Sequence, residues 1–198
     1  MTKNSKPNKS KFIGISGPPG AGKDYLSKFI VSNLKLNRVA MVTTRPARPE
    51  EEKICINDKE YNKLLKNNLL VGHHINKGYK YAYKIYDLKA IKGPGIIELN
   101  PINQVSLKDE LSKHGINFAG WVGIVGDIEY LISNMNSRQK MPDTEITKRT
   151  DMARSIVQEI KKLHDNNIIN VIFKVGWHNR KSMTTEFANI IKTYLNKD

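Results

Sequence analysis

Between Gly17 and Asp24 the chain reads Gly-Pro-Pro-Gly-Ala-Gly-Lys-Asp. This fits the phosphate-loop spacing G-x-x-x-x-G-K-[ST] at every position but the last, where Asp24 stands in place of Ser or Thr. Glycines let the backbone curl until successive N–H groups face inward, and such a row of donors cradles the phosphates of a nucleotide. A helix opening near Lys23 aims the positive end of its dipole at the same place, and the Lys23 ammonium adds a mobile charge for the β/γ oxygens. The expected nucleotide contacts are Gly17, Pro18, Gly20, Ala21, Gly22, Lys23, Asp24 and Tyr25, with ATP and Mg2+ as cofactors. A carboxylate at residue 24 is a hard oxygen ligand that could hold Mg2+ directly or through a water. The plain alternative is a Gly-rich turn with a solvated Lys23, and the setting between a buried-strand run and a helix argues against it.

Phosphoryl transfer between two anions asks for positioning and positive charge rather than covalent help. Arg138 and Arg149, brought in by a lid over residues 134–147, are the candidates to clamp the transferring group beside Lys23. Arg45, Arg48 and Tyr81 suit an acceptor phosphate, the arginines by bidentate contact. Glu98, at the carboxyl end of a strand-like run, orients a metal-bound water, caps a helix or pairs with a Lys. His73 and His74 point opposite ways on a strand, and no Cys, His or Asp spacing completes a metal site with them.

The elements that must carry these residues follow from periodicity. Short β-branched runs at Phe12–Ser16, Val39–Thr43, Gly95–Leu99, Gly120–Val125 and Ile168–Phe173 alternate with helical patterns. That alternation predicts an α/β three-layer fold with a five-stranded parallel sheet. Helices are expected between Asp143 and His164 and around Phe187–Leu195, from their apolar stripes. Between residues 45 and 90 the pattern shifts to short alternating runs (Lys53–Asn57, Leu70–Ile75, Tyr79–Tyr83) and a helical piece, Asp58–Lys66, predicting a small α+β insertion that binds the acceptor. Glu110 to Lys113 and Lys161-Lys162 read as solvated faces.

At 198 residues the chain suits one globular domain over 11–198, preceded by a basic, disordered tail over 1–10. Its net charge of +14 is spread along the chain without an aromatic-interleaved stripe, which favours a small-molecule phosphate enzyme over a nucleic-acid binder. No apolar run approaches the ~20 residues of a membrane span, no secretory h-region is present, and the single cysteine, Cys55, fits a reducing cytoplasm. The chain is expected to be a monomer or a homodimer.

The ordered motifs resemble those of guanylate kinases. Thr43-Thr44-Arg45-Pro46-Ala47-Arg48-Pro49-Glu50-Glu51 is similar to their T-T-R-x-P-R-x-G-E segment, and Asn76–Ala82 to G-N-Y-Y-G. Ile96–Asn100 is similar to I-L-D-I-D, while Ser137-Arg138 and Ile146–Arg149 match the segments of the two lid arginines. The likeness runs from about Lys11 to Leu195 and implies an ATP-dependent kinase with a phosphate acceptor. Two carboxylates that read guanine in that family are replaced here, by Gly72 and Asn100. Paired hydrogen bonds set such selectivity, so guanine reading is expected to be weak.

A second group of that fold, the ribose 1,5-bisphosphate phosphokinases, is closer in detail. It carries G-K-D in the loop, a short segment like Glu51–Ile56, and a run similar to His73–Ala82. It also has an asparagine at the position of Asn100, which the resemblance assigns to the acceptor site. Its N-G-S-R sequence is not matched, because this chain continues Asn100-Pro101-Ile102-Asn103. The sequence thus leaves three readings: a kinase of ribose 1,5-bisphosphate or a nucleoside monophosphate, a guanylate kinase with rebuilt base recognition, and a non-catalytic module. The third has no use for Lys23 and two lid arginines.

Overall fold

The computed structural model describes residues 11–47, 52–138, 142–177 and 180–196. Five strands form an all-parallel sheet: β1 (Lys11–Ser16), β2 (Asn37–Arg38), β7 (Pro94–Glu98), β8 (Asn117–Gly126) and β9 (Val171–Val175), in the order β2-β7-β1-β8-β9. Alternation along β1 feeds both faces: Ile13 and Ile15 join one buried cluster, and Phe12 joins the other. The first cluster is closed by α1 (Lys23–Leu34) and α7 (Arg180–Leu195) through Leu26, Ile30, Phe187 and Ile191. The second is closed by α3 (Ile85–Ala90), α4 (Leu107–Lys113) and α6 (Asp143–Asp165) through Leu88, Leu111, Ile160 and Leu163. Each such side chain contributes about 1.5–3 kcal/mol by leaving water. Among the described residues no helix is long and apolar enough to cross a membrane.

A second, four-stranded mixed sheet is built from β3 (Val42–Thr43), β4 (Ile54–Cys55), β5 (Leu70–Asn76) and β6 (Tyr79–Lys84), in the order β4-β3-β6-β5. Helix α2 covers Asp58–Lys66, the residues the sequence pattern marks, and is capped by Asn57, whose side chain accepts from the Glu60 amide. Strands β5 and β6 turn on Lys77 and Gly78, both at positive φ. Tyr61 of α2 closes a third small cluster with Val42, Leu70 and Ala82.

Two expectations are corrected. The run Val39–Thr43 is not one strand of the parallel sheet. Asn37–Arg38 pairs with β7 there, and Val42–Thr43 belongs to the second sheet. The intervening apolar residues Val39 and Met41 fill the cluster between the two sheets, which makes the run look continuous. The last strand is Val171–Val175 rather than Ile168–Phe173, because Ile168 and Ile169 still bond back to the Leu163 carbonyl at the end of α6. The expected lid stretch 134–147 comprises 134–138 at the end of α5 (Ile128–Arg138) and 143–147 at the start of α6, with 139–141 outside the described residues. The tail over 1–10 also lies outside them.

Candidate active site

Strand β1 ends at Ser16 and α1 begins at Lys23, so Gly17–Gly22 turns at the carboxyl edge of the parallel sheet, where open α/β folds bind ligands. Gly20 has φ 81, and a Cβ there would run into the Leu131 carbonyl of α5. Only glycine fits this close approach, and Asn134 Nδ2 fastens it by donating to the Gly20 carbonyl at 3.0 Å. The Ala21 amide donates to the Pro18 carbonyl at 3.3 Å, closing the turn. Lys23 folds back over the loop, its Nζ donating to the Gly17 carbonyl at 2.8 Å and the Pro18 carbonyl at 3.0 Å. Tyr25 is exposed on the next turn position, with the Arg180 guanidinium 5.9 Å from its ring centroid.

Asp24 and Glu98 meet at this edge through a residue the sequence reading did not single out. Arg38, on the edge strand β2, reaches Glu98 Oε1 at 2.5 Å, Glu52 Oε2 at 2.9 Å and Asp24 Oδ1 at 3.5 Å. Burial opposes the Arg38 charge, but Glu98, Glu52 and Asp24 outweigh it and hold the guanidinium above its ordinary pKa. Glu98 is fixed from the other side: its backbone N–H donates to the Tyr83 hydroxyl and its carbonyl accepts from it, each at 2.8 Å. Glu98 pairs with Arg38 rather than with a Lys. Two carboxylates beside a phosphate loop fit Mg2+, which usually takes one or two carboxylates plus phosphate and water. Among the described residues no cluster of three His, Cys, Asp or Glu could hold a metal alone, so such an ion would draw further oxygens from nucleotide and water.

The second sheet gathers part of the expected acceptor set. Thr43 pairs with Tyr81 across β3 and β6, and Arg45 follows two residues later, its amide donating to Thr43 Oγ1 at 3.1 Å. Both Arg45 and Tyr81 are buried. Tyr81 stacks on His74, with ring centroids 5.3 Å apart and planes 18° from parallel, and Lys53 Nζ lies 5.9 Å from its ring centroid. His74 is buried while His73 is exposed, as opposite-facing strand neighbours must be. Tyr61 gives its hydroxyl proton to the Tyr81 carbonyl at 2.8 Å, so His73 Nδ1, 2.8 Å away, is the donor in their contact. Arg48 lies outside the described residues.

Gly72 and Asn100 are tied together by a third residue. Gln104 Nε2 donates to the Gly72 carbonyl at 2.8 Å, and its Oε1 accepts from the Asn100 amide at 2.6 Å. Gln104 is only 1% exposed. Gly72 has φ 63, and a Cβ on it would lie 2.7 Å from Gln104 Nε2. The Gly72 amide donates to Glu110 Oε2 at 2.8 Å, and Glu110 Oε1 accepts from Ser106 Oγ at 2.8 Å. Glu110 is therefore a tether between α4 and β5, which corrects its reading as a solvated residue. Asn100 Oδ1 accepts from the Ile102 amide at 3.0 Å, which turns the chain toward Gln104.

Arg149 sits in the opening turns of α6, its Nε 2.7 Å from Glu145 Oε1. The Arg149 hydrogen bond, and then Lys77 at the β5–β6 turn, keep the Glu145 carboxyl below its ordinary value. Arg138 is the last residue of α5; its side chain is outside the description.

No protein-family model and no curated protein sequence matches the chain. Solved structures match its fold over nearly its full length. A guanylate kinase from Anaplasma phagocytophilum aligns with TM-score 0.63 and 14% identity, over 96% of this chain and 88% of that one. A shikimate kinase from Acinetobacter baumannii in complex with shikimate aligns with TM-score 0.50 and 12% identity, over 96% and 97%. The chain has an α/β P-loop kinase fold.

Proposed function

We propose that the chain is an ATP- and Mg2+-dependent phosphotransferase acting on a small phosphorylated acceptor, ribose 1,5-bisphosphate ahead of GMP and other nucleoside monophosphates. The loop from Gly17 to Asp24 takes the nucleotide phosphates, with Lys23 moving from the Gly17 and Pro18 carbonyls to the β/γ oxygens. Asp24 and Glu98 supply oxygens for the Mg2+, which neutralises charge on the phosphates when bound. Arg45, Arg48 and Tyr81 hold the acceptor phosphate with Asn100 beside them, and Arg138 and Arg149 close over the transferring group. A cytoplasmic setting, as monomer or homodimer, belongs to the same proposal.

The observation that carries the acceptor choice is the Gln104 bridge. The two positions that the guanylate kinase resemblance assigns to guanine-reading carboxylates are here Gly72 and Asn100, and one buried side chain bonds to the backbone of both. A glutamate at residue 72 would need positive φ and would collide with Gln104. Phosphate capture without that base reading favours a sugar phosphate. The likeness to a shikimate kinase holding shikimate supports an acceptor other than a nucleotide on this fold. The guanylate kinase likeness favours GMP as the second reading.

The test is an acceptor panel with ATP and Mg2+, reading ADP release for the unmodified chain and for Lys23→Ala. ADP release that needs a phosphorylated acceptor and drops steeply in Lys23→Ala, together with weakened triphosphate binding, is expected. Unchanged nucleotide affinity and turnover in Lys23→Ala would sink the assignment.

A further inference from the structure

Arg38 has no part in the phosphate loop, yet it holds both carboxylates that the reading above gives to the cation. Its fork is divided: Nη1 takes Glu52, and Nη2 takes Glu98 at 2.5 Å and Asp24 at 3.5 Å. The anchoring is unequal. Arg38 is launched from β2, where it pairs with Ile96, and Glu98 is pinned by Tyr83, so that contact is held at both ends. Asp24 is the longest of the three contacts, and its side chain is 62% exposed against 23% for Glu98. Asp24 is therefore the partner that can leave. A guanidinium between two carboxylates is the electrostatic equivalent of a cation between them, so a divalent ion arriving alone must displace charge already neutralised. An ion arriving with a triphosphate brings its own compensating anions.

We propose that Arg38 is a positioning residue that makes divalent-cation binding depend on nucleotide: its guanidinium occupies the cation's place between Asp24 and Glu98 and releases Asp24 when a metal–triphosphate docks. This rests on the assignment of residues 17–24 to nucleotide phosphate. Nη1 stays with Glu52 while Nη2 spans Glu98 and Asp24, and a lysine ammonium on the same strand offers one nitrogen where the fork offers two.

The experiment is Mn2+ titration of the full chain by electron paramagnetic resonance, with and without a non-hydrolysable ATP analogue. In the unmodified chain Mn2+ binds weakly alone and much more tightly with the analogue. Arg38→Gln is expected to bind Mn2+ alone at least tenfold more tightly, about 1.4 kcal/mol. Because Asp24 is already released once the metal–triphosphate docks, Mn2+ affinity with the analogue changes little, and the enhancement by the analogue shrinks by about the same factor. Adding Asp24→Asn to Arg38→Gln removes the gain, which places it at this site. Arg38→Lys, which keeps the charge, falls between the two and serves if Arg38→Gln does not fold by circular dichroism. A folded Arg38→Gln that binds Mn2+ no more tightly overturns the proposal. So does a gain that survives Asp24→Asn, or an Arg38→Lys indistinguishable from the unmodified chain when it alone folds. A chain that binds no nucleotide at all fails the functional reading instead, and the metal-alone titration still decides the role of Arg38.

Discussion

Replacing Gly72 by alanine tests the joint between the second sheet and the parallel core. The residue has φ 63, which costs an L side chain about 1–2 kcal/mol. The new methyl would lie 2.7 Å from Gln104 Nε2, so Gln104 must move and loosen its bonds to Gly72 and Asn100. Leaving buried polar groups unmatched adds about 1–3 kcal/mol. The expected loss is thus about 2–5 kcal/mol, a large share of the roughly 5–15 kcal/mol typical of a folded domain. Gly78 supplies the control: its φ is 80, with nothing within 4 Å of a Cβ, so Gly78→Ala carries only the backbone cost. Urea denaturation of both variants, and of Gly72→Ala in a Gln104→Ala background, separates the two contributions. The Gln104 clash should vanish in that background, leaving only the tight approach to Leu107 Cδ1 at 3.0 Å, and giving a coupling of about 1–3 kcal/mol. Equal losses at Gly72 and Gly78, or losses at Gly72 and Gln104 that simply add, would refute the account of this joint.

Arg138→Ala and Arg149→Ala are each expected to lower kcat by about 10³–10⁵ with little change in ATP affinity, as for other charge-supplying arginines; raised KM with intact kcat would remove them from the transition state. Acid should loosen the second sheet. Burial, then positive neighbours, hold His73 and His74 below their ordinary 6.5, so the unfolded chain binds more protons below that pH. Stability is full above about 6.5 and declines as pH falls from there toward the folded values. Melting curves from pH 8 to 5 should show this fall, and His74→Gln should flatten it; an equally steep fall in His74→Gln would assign it elsewhere.

The strand–turn–helix around Gly17–Asp24 was legible in the sequence because its glycines and lysine stand in order along one local stretch between β1 and α1. Helix α2 was legible for the same reason, since its cap and its stripe are local. What was not legible is non-local. Arg38 gains its meaning from Asp24, Glu52 and Glu98, on three other segments, and nothing in a two-residue edge strand marks it. Gln104 is polar and lies in a turn-rich stretch, so no periodicity separates a buried bridge from a solvated residue. Glu110 has an ordinary polar place in the pattern of α4, and only the packing of α4 against β5 gives it the Gly72 amide as a partner. Val39–Thr43 misled because alternation reports burial, and this run is buried between two sheets rather than within one.

The central claim is that an acceptor phosphate is captured without guanine being read. Its most direct test is kcat/KM for ribose 1,5-bisphosphate, GMP and the other nucleoside monophosphates, measured with ATP and Mg2+ under one condition. The account predicts the highest value for the sugar bisphosphate and a poor one for GMP. A GMP value in the range of about 10⁴–10⁸ M⁻¹s⁻¹ seen for working enzymes, with no turnover of the sugar, would contradict it.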